Sequence, residues 1–257
     1  MEALIYPAED VLQKTSDAVN AMLEREFGGP IMLLLSGGSS LTLLQRIRAE
    51  LLGPHMTVMM SDERLSADPK INNFAQMMAT PFYENATARG CVFIDTRPSF
   101  AKASTYAKAS ADKSAGKAAV METVEELGAR MHRSLSDWRA ANPKGRVIMT
   151  QGVGPDGHTC GIMPFPSDEQ KFKELFEEEG KWAVGYDASG KSEFPLRATV
   201  TISLLKNGVD ESVAYAVGSA KKHALKRATA GDIELWKTPV AVMREMKKVT
   251  LFTDQHI

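Results

Sequence analysis

The chain has 257 residues, with Lys+Arg 31 against Asp+Glu 32 and a formal net charge of -1. Hydrophobic residues make up 44% and charged residues 25%, an ordinary balance for a soluble globular protein. Such a charge provides no global field for nucleic acid or an anionic membrane, although a local basic pocket is compatible with it. The two cysteines, Cys91 and Cys160, have neither metal-ligand spacing nor the look of a disulfide framework. The first residues, Met1 to Pro7, lack the charged start and apolar core of a signal peptide. The run Ile31 to Leu35 is far too short to span a bilayer. The expectation is a cytoplasmic protein.

Residues 8–26 predict a helix, with Val11, Leu12, Ala18, Val19, Met22 and Leu23 at near-helical spacing. Ile31-Met32-Leu33-Leu34-Leu35 predicts a strand buried on both faces of a parallel sheet. Ser36-Gly37-Gly38-Ser39-Ser40 follows at once, and Leu41, Leu44, Ile47 and Leu51 then mark a helix face. Ser39 or Ser40 is the expected N-cap.

A strand, a Gly-Ser loop and a helix suit a phosphate. The first N–H groups of a helix lack partners, glycine lets an anion approach the backbone, and serine adds hydroxyl donors. The same residues fit a plain tight turn with a serine cap. The loop matches neither common nucleotide-binding glycine pattern.

Met56 to Met60 predicts a second strand, ending in the charged cluster Ser61-Asp62-Glu63-Arg64. Ligands bind at that end of strands in open α/β sheets, though a solvated ion pair is the plainer reading. Asp68 to Asn73 leads into a helix through Phe74, Met77 and Met78. Cys91 to Ile94 predicts a third strand. Residues 99–119 hold Ala, Lys and Ser with few large apolar side chains, which suggests an exposed helix or a mobile insertion. Val120 to Trp138 predicts a long amphipathic helix.

Arg146 to Thr150 predicts a buried strand, and Gln151-Gly152-Val153-Gly154-Pro155-Asp156-Gly157-His158-Thr159 turns sharply after it. That turn holds a carboxylate and an imidazole two residues apart. Histidine's ordinary pKa lies near neutrality, so His158 is the candidate base. Gly161 to Pro166 reads as an irregular loop and 168–179 as an acidic helix. Strands are expected at Ala198 to Ser203, Val213 to Val217 and Val249 to Phe252. Gly218-Ser219-Ala220-Lys221-Lys222 opens a helix through Leu225, and Val240 to Met246 forms a short one. The alternation predicts one α/β domain over residues 1–257, Rossmann-like, with a mostly parallel sheet and helices on both faces.

In order, these turns resemble the 6-phosphogluconolactonase family, within the wider group of sugar-phosphate isomerases, deaminases and lactonases. The resemblance rests on Ser36-Gly37-Gly38-Ser39, Asp62-Glu63-Arg64, Gly152-x-Gly154-x-Asp156-Gly157-His158-Thr159, Arg197 before a Thr-rich strand, and Gly218-x-x-Lys221. It spans about residues 31 to 252. The resemblance implies hydrolysis of a phosphosugar lactone without metal or organic cofactor, by a monomer or homodimer. It implies His158 as base and the Ser36–Ser39 loop, Arg197 and Lys221 as phosphate holders. Arg64 and Asp62 lie in the implied substrate pocket, and Asp156 orients the loop or supports the imidazolium.

Three departures stand out. Ser40-Leu41 replaces the family's Thr-Pro, Cys160 to Pro166 replaces Ala-Ser-Leu-Phe-Pro, and Asn72-Asn73 replaces Ser-Asn. Two alternatives remain open. Glucosamine-6-phosphate deaminases resemble the chain in two loops, but carry a carboxylate five residues after the histidine, where Met163 stands here. A non-catalytic sugar-phosphate sensor would keep the clamp and lose the chemistry. Cys160 is read as packing rather than as a nucleophile.

Overall fold

A computed structural model describes residues 1–101, 120–232 and 234–257 of the chain. The expectation for residues 99–119 falls largely outside them. In chain order the elements begin with β1 (Glu2–Ile5), α1 (Ala8–Arg25), β2 (Ile31–Leu35), β3 (Met56–Met60), β4 (Asp62–Arg64) and α2 (Asn73–Met78). Then come α3 (Pro81–Ala88), β5 (Val92–Ile94), β6 (Phe100–Ala101), β7 (Val120–Met121), α4 (Val124–Ala141) and β8 (Arg146–Gly152). The last are α5 (Glu169–Phe176), β9 (Ala183–Asp187), β10 (Leu196–Val200), β11 (Glu211–Ala216), α6 (Lys222–Thr229) and β12 (Val249–Thr253).

Seven strands form one sheet in the order β1-β12-β11-β8-β2-β3-β5. Every neighbouring pair in it is parallel. The Rossmann-like α/β expectation is therefore met. From β2 the chain runs outward to β3 and β5, then crosses back to place β8 on the other side of β2. That reversal leaves a crevice above the carboxyl ends of β2 and β8, where open α/β sheets bind ligands. A second, antiparallel sheet of order β4-β10-β9 sits beside it.

The pleat explains why β2 is apolar throughout. Ile31, Leu33 and Leu35 join a core with Val11, Val19 and Leu23 of α1 and Phe74 and Met77 of α2. Met32 and Leu34 point the other way, to Leu127, Met131 and Leu135 of α4 and Phe172 and Phe176 of α5. All five side chains of β2 are fully buried. Each contributes about 1.5–3 kcal/mol of apolar burial, which makes β2 a rigid base for the loop that follows it.

Several expectations need correction. The helix foreseen after the Gly-Ser loop is a pair of 3-10 helices, Gly38–Arg46 and Ala49–Leu51. Leu41, Leu44 and Ile47 are three apart, a spacing that serves a three-residue turn as well as an α-helix. Its N-cap is Gly37, with no side-chain cap, rather than Ser39 or Ser40. The helix expected from Val120 starts at Val124. Thr123 caps it in a reciprocal box with Glu126, while Val120–Met121 pairs with Phe100–Ala101 as a strand. The strand expected over Ala198 to Ser203 is Leu196–Val200, in the small antiparallel sheet. Val240 to Met246 is a 3-10 helix, Pro239–Arg244.

Candidate active site

Four strand ends of the parallel sheet supply the site. β2 leads into Ser36–Ser39, β3 into Asp62 and Arg64, β8 into Gly152–His158, and β11 into Gly218–Lys221. With Asn73, Cys160 and Arg197 they line an open cleft with an empty volume of about 540 Å³. Ser36, Gly37, Gly38, Ser39, Asp62, Arg64, His158, Arg197 and Lys221 all line it, as the motifs predict. Asp156 is not part of the wall, and holds His158 from behind.

The histidine geometry is specific. Asp156 Oδ1 stands 2.6 Å from His158 Nδ1 and also accepts the His158 backbone N–H at 3.1 Å. A carboxylate against Nδ1 keeps the proton on that nitrogen, so Nε2 retains its lone pair. Nε2 makes no hydrogen bond among the described residues. Burial alone would raise the Asp156 carboxyl. The hydrogen bond and charge of His158 outweigh it, and the carboxyl is held below its ordinary value.

The glycines of this turn have distinct reasons. Gly157 has φ +96°, a left-handed conformation that suits glycine. A Cβ on Gly154 would run into the His158 ring and stand 2.6 Å from Asp156 Oδ1. The spacing Gly-x-Asp-Gly-His is thus a steric requirement for setting an imidazole against a carboxylate.

The Gly-Ser loop is tied to the scaffold at one end and open at the other. Ser36 N–H donates to Thr150 Oγ1 at 3.3 Å, and its hydroxyl lies 3.3 Å from Ser61 Oγ. Gly38 and Ser39 are exposed to the cleft and begin the nine-residue 3-10 helix. The first N–H groups of a helix therefore still stand at the cleft wall, now those of a tighter helix than expected.

Three cations line the cleft, and one of them is already paired. Arg197 Nη2 bonds Asp62 Oδ2 at 2.6 Å, with both side chains nearly buried. Arg64 has no ion pair among the described residues. Its guanidinium carbon lies 4.9 Å from the Phe194 ring centroid. Burial first, and then the charge of Arg197, lower its pKa. Lys221 likewise has no ion pair among the described residues. Burial lowers its pKa, and the charge of Asp156 acts in the opposite direction.

Cys160 is buried and has φ 53°, the one non-glycine positive φ among the described residues. Burial, reinforced by the charge of Asp62, pushes its thiol up to about 12. Such a thiol is not a nucleophile near neutrality. Cys160→Ala is accordingly expected to keep turnover within about twofold of the parent, and iodoacetamide to leave the folded enzyme active. Rapid inactivation by iodoacetamide that Cys160→Ala abolishes would reverse this assignment.

Two residues important to the cleft are hard to see in sequence. Asn73 Nδ2 donates to Asp62 Oδ2 at 3.1 Å, while its Oδ1 is buried in the cleft wall without a partner among the described residues. A Cβ on Gly37 would collide with this amide, which accounts for the first loop glycine. Buried Glu63 accepts backbone N–H bonds from Arg64, Asn73 and Phe74 and a hydroxyl bond from Thr96. Burial pushes its carboxyl up to about 7 against the pull of those N–H groups. It fastens the Asp62–Arg64 strand to the start of α2. The Asn72-Asn73 pair was the available signal for the first; the Asp62-Glu63-Arg64 motif contains the second, but nothing local marks it as a fastening group.

Among the described residues, no group of His, Cys, Asp and Glu could hold a metal ion. None of their helices is long and apolar enough to cross a membrane.

Comparison with known proteins bears on the fold and the family. A 6-phosphogluconolactonase from Shewanella baltica OS155 superposes with TM-score 0.70 at 16% identity, over 98% of this chain and 96% of that one. A 6-phosphogluconolactonase from Leishmania guyanensis gives TM-score 0.67 at 18% identity, over 98% and 95%. A monomeric glucosamine-6-phosphate deaminase gives TM-score 0.64 at 14% identity, over 99% and 98%. At such identities these likenesses speak to the fold alone. No curated protein sequence matches the chain. Residues 6–252 match the family described as "Glucosamine-6-phosphate isomerases/6-phosphogluconolactonase". With nearly its whole length matched, the chain belongs to the glucosamine-6-phosphate isomerase/6-phosphogluconolactonase family.

Proposed function

We propose that the chain hydrolyses 6-phospho-D-glucono-1,5-lactone to 6-phosphogluconate, the lactonase step of the pentose phosphate pathway. The observation that carries this reading is the Asp156-held His158, its Nε2 unpartnered beside a cleft with two unpaired cations. Nε2 takes a proton from water as the water oxygen attacks the lactone carbonyl carbon. A tetrahedral oxyanion forms and collapses with loss of the ring ester oxygen. The imidazolium returns its proton to that oxygen, leaving a hydroxyl and a carboxylic acid, which releases the second proton of the water to solvent and becomes the carboxylate. The Asp156 carboxylate supports the imidazolium between the two transfers.

Arg64 and Lys221 supply two positive charges for a phosphate dianion, together with the open N–H groups of the Gly38–Ser39 turn. Arg197 adds its charge while Nη2 stays on Asp62. Binding energy from the phosphate end then positions the carbonyl against His158.

The family and fold are shared with deaminases, so the choice of chemistry rests on the site. Isomerisation and deamination need further acid–base groups. Met163, five residues after His158, is buried, and its N–H donates to Tyr186 Oη at 3.2 Å. Cys160, Ile162 and Phe165 are buried with it, so the altered loop builds core instead of lending a carboxylate. Turnover of freshly prepared 6-phosphogluconolactone above its spontaneous hydrolysis is the expected result, with no ammonia from glucosamine 6-phosphate. Ammonia release would return the deaminase reading. Phosphosugar binding without either turnover would return the sensor.

A further inference from the structure

The turn carrying His158 is soft by composition, with glycine at 152, 154 and 157. Its shape depends on the bonds it makes. Within the turn, Gly154 N–H donates to His158 O at 2.8 Å and Gly157 N–H to Gly154 O at 3.0 Å. From outside, Val240 N–H donates to Gly157 O at 2.9 Å. Arg227 Nη2 donates to Asp156 O at 2.7 Å. Among the described residues, Arg227 is the only side chain of another element hydrogen-bonded to residues 154–158. Gly157 makes room for it: a Cβ there would stand 3.0 Å from Arg227 Nη2.

Arg227 belongs to α6, and Lys221 is the residue that precedes this helix. One short helical segment thus presents a cation to the cleft at its start and grips the His158 turn near its end. Arg227 itself does not line the cleft, so it acts through the turn. Its bond falls on the carbonyl of the very residue whose carboxylate orients the imidazole. A freed Asp156 carbonyl lets the peptide rotate, and Oδ1 then leaves Nδ1.

We infer that Arg227 is a positioning residue for the reaction proposed above: its bond to the Asp156 carbonyl sets the Asp156–His158 pair. The inference rests on His158 being the base, so its test includes a readout that needs no turnover. With the phosphorylated lactone, Arg227→Ala lowers kcat roughly 10- to 100-fold, the scale of an ångström-size misplacement, with KM within about threefold. Arg227→Lys recovers part of the loss, since an ammonium can donate to the same carbonyl. Independently, amide hydrogen exchange at Gly157 is faster in Arg227→Ala than in the parent and is slowed again in Arg227→Lys. That comparison stands even if the chain proves to have no lactonase turnover. Unchanged kcat together with unchanged Gly157 exchange in Arg227→Ala overturns the inference. So does a loss of kcat that follows a fall in melting temperature and is not recovered by lysine.

Discussion

His158→Gln lowers kcat for lactone hydrolysis by roughly 10²- to 10⁴-fold, the range over which positioned general bases act. Glutamine nearly fills the imidazole's place and keeps a polar end, so the cleft retains its shape, but an amide does not take a proton near neutrality. KM is expected to change little, because the proposed phosphate holders Arg64, Lys221 and the Gly-Ser turn are untouched. Asp156→Asn gives a smaller loss. Its amide oxygen can still accept from Nδ1–H, yet the negative charge that supports the imidazolium is gone. Initial rates corrected for spontaneous hydrolysis, with circular dichroism to confirm folding, provide the check. A His158→Gln enzyme turning over at close to the parent rate would remove the histidine from the mechanism.

Arg197→Met destabilises the protein by about 3–5 kcal/mol, because it leaves the Asp62 carboxylate buried and uncompensated. The pair is bonded at 2.6 Å with side-chain exposures of 6% and 5%, so solvent gives the orphaned charge little relief. Among the described residues, the one other side-chain donor to the Asp62 carboxylate is the Asn73 amide at 3.1 Å. For a chain of this size the loss corresponds to a fall in melting temperature of roughly 2–4 °C per kcal/mol. Replacing both partners, as Asp62→Asn with Arg197→Met, recovers much of the stability, since no charge is then stranded. Urea unfolding of the two single variants and the double variant measures the coupling. Should Arg197→Met unfold within about 0.5 kcal/mol of the parent, the pair is not a structural element of the cleft.

The strands that frame the cleft are legible because burial on both faces writes itself as an uninterrupted apolar run. Ile31–Leu35 and Met56–Met60 are bounded correctly for that reason. β9 escapes notice because Ala183–Asp187 contains Gly185, which weakens a strand signal. The cause lies elsewhere in the chain: a Cβ on Gly185 would collide with the backbone of Val124, where α4 begins. Close approach between two segments leaves no local trace except the glycine. The same holds within the site. Ser36, Arg64, His158 and Lys221 follow or lie near strand ends, and their chemistry marks them. Asn73 and Arg227 act on those loops from other segments, and Glu63, though inside the Asp62–Arg64 motif, turns to α2 and Thr96; only the fold brings them together.

The pairing of β1 with β12 bears on how the molecule assembles in time. Glu2 lies against Thr250 and Ile5 against Thr253, so the edge of the main sheet joins segments separated by almost the whole chain. During synthesis β1 is made long before β12, its neighbour in the sheet, and waits for it, while α1, β2 and β3 have nearer partners to collapse against. β12 must enter between β1 and β11 before either bond ladder on that side exists. Closing so long a loop adds little to the equilibrium entropy cost, which grows only logarithmically with length, but it delays the event. The crevice side of the sheet can therefore take shape early, with the β1–β12 edge as the late-closing seam and the place where a stalled chain exposes unpaired strands.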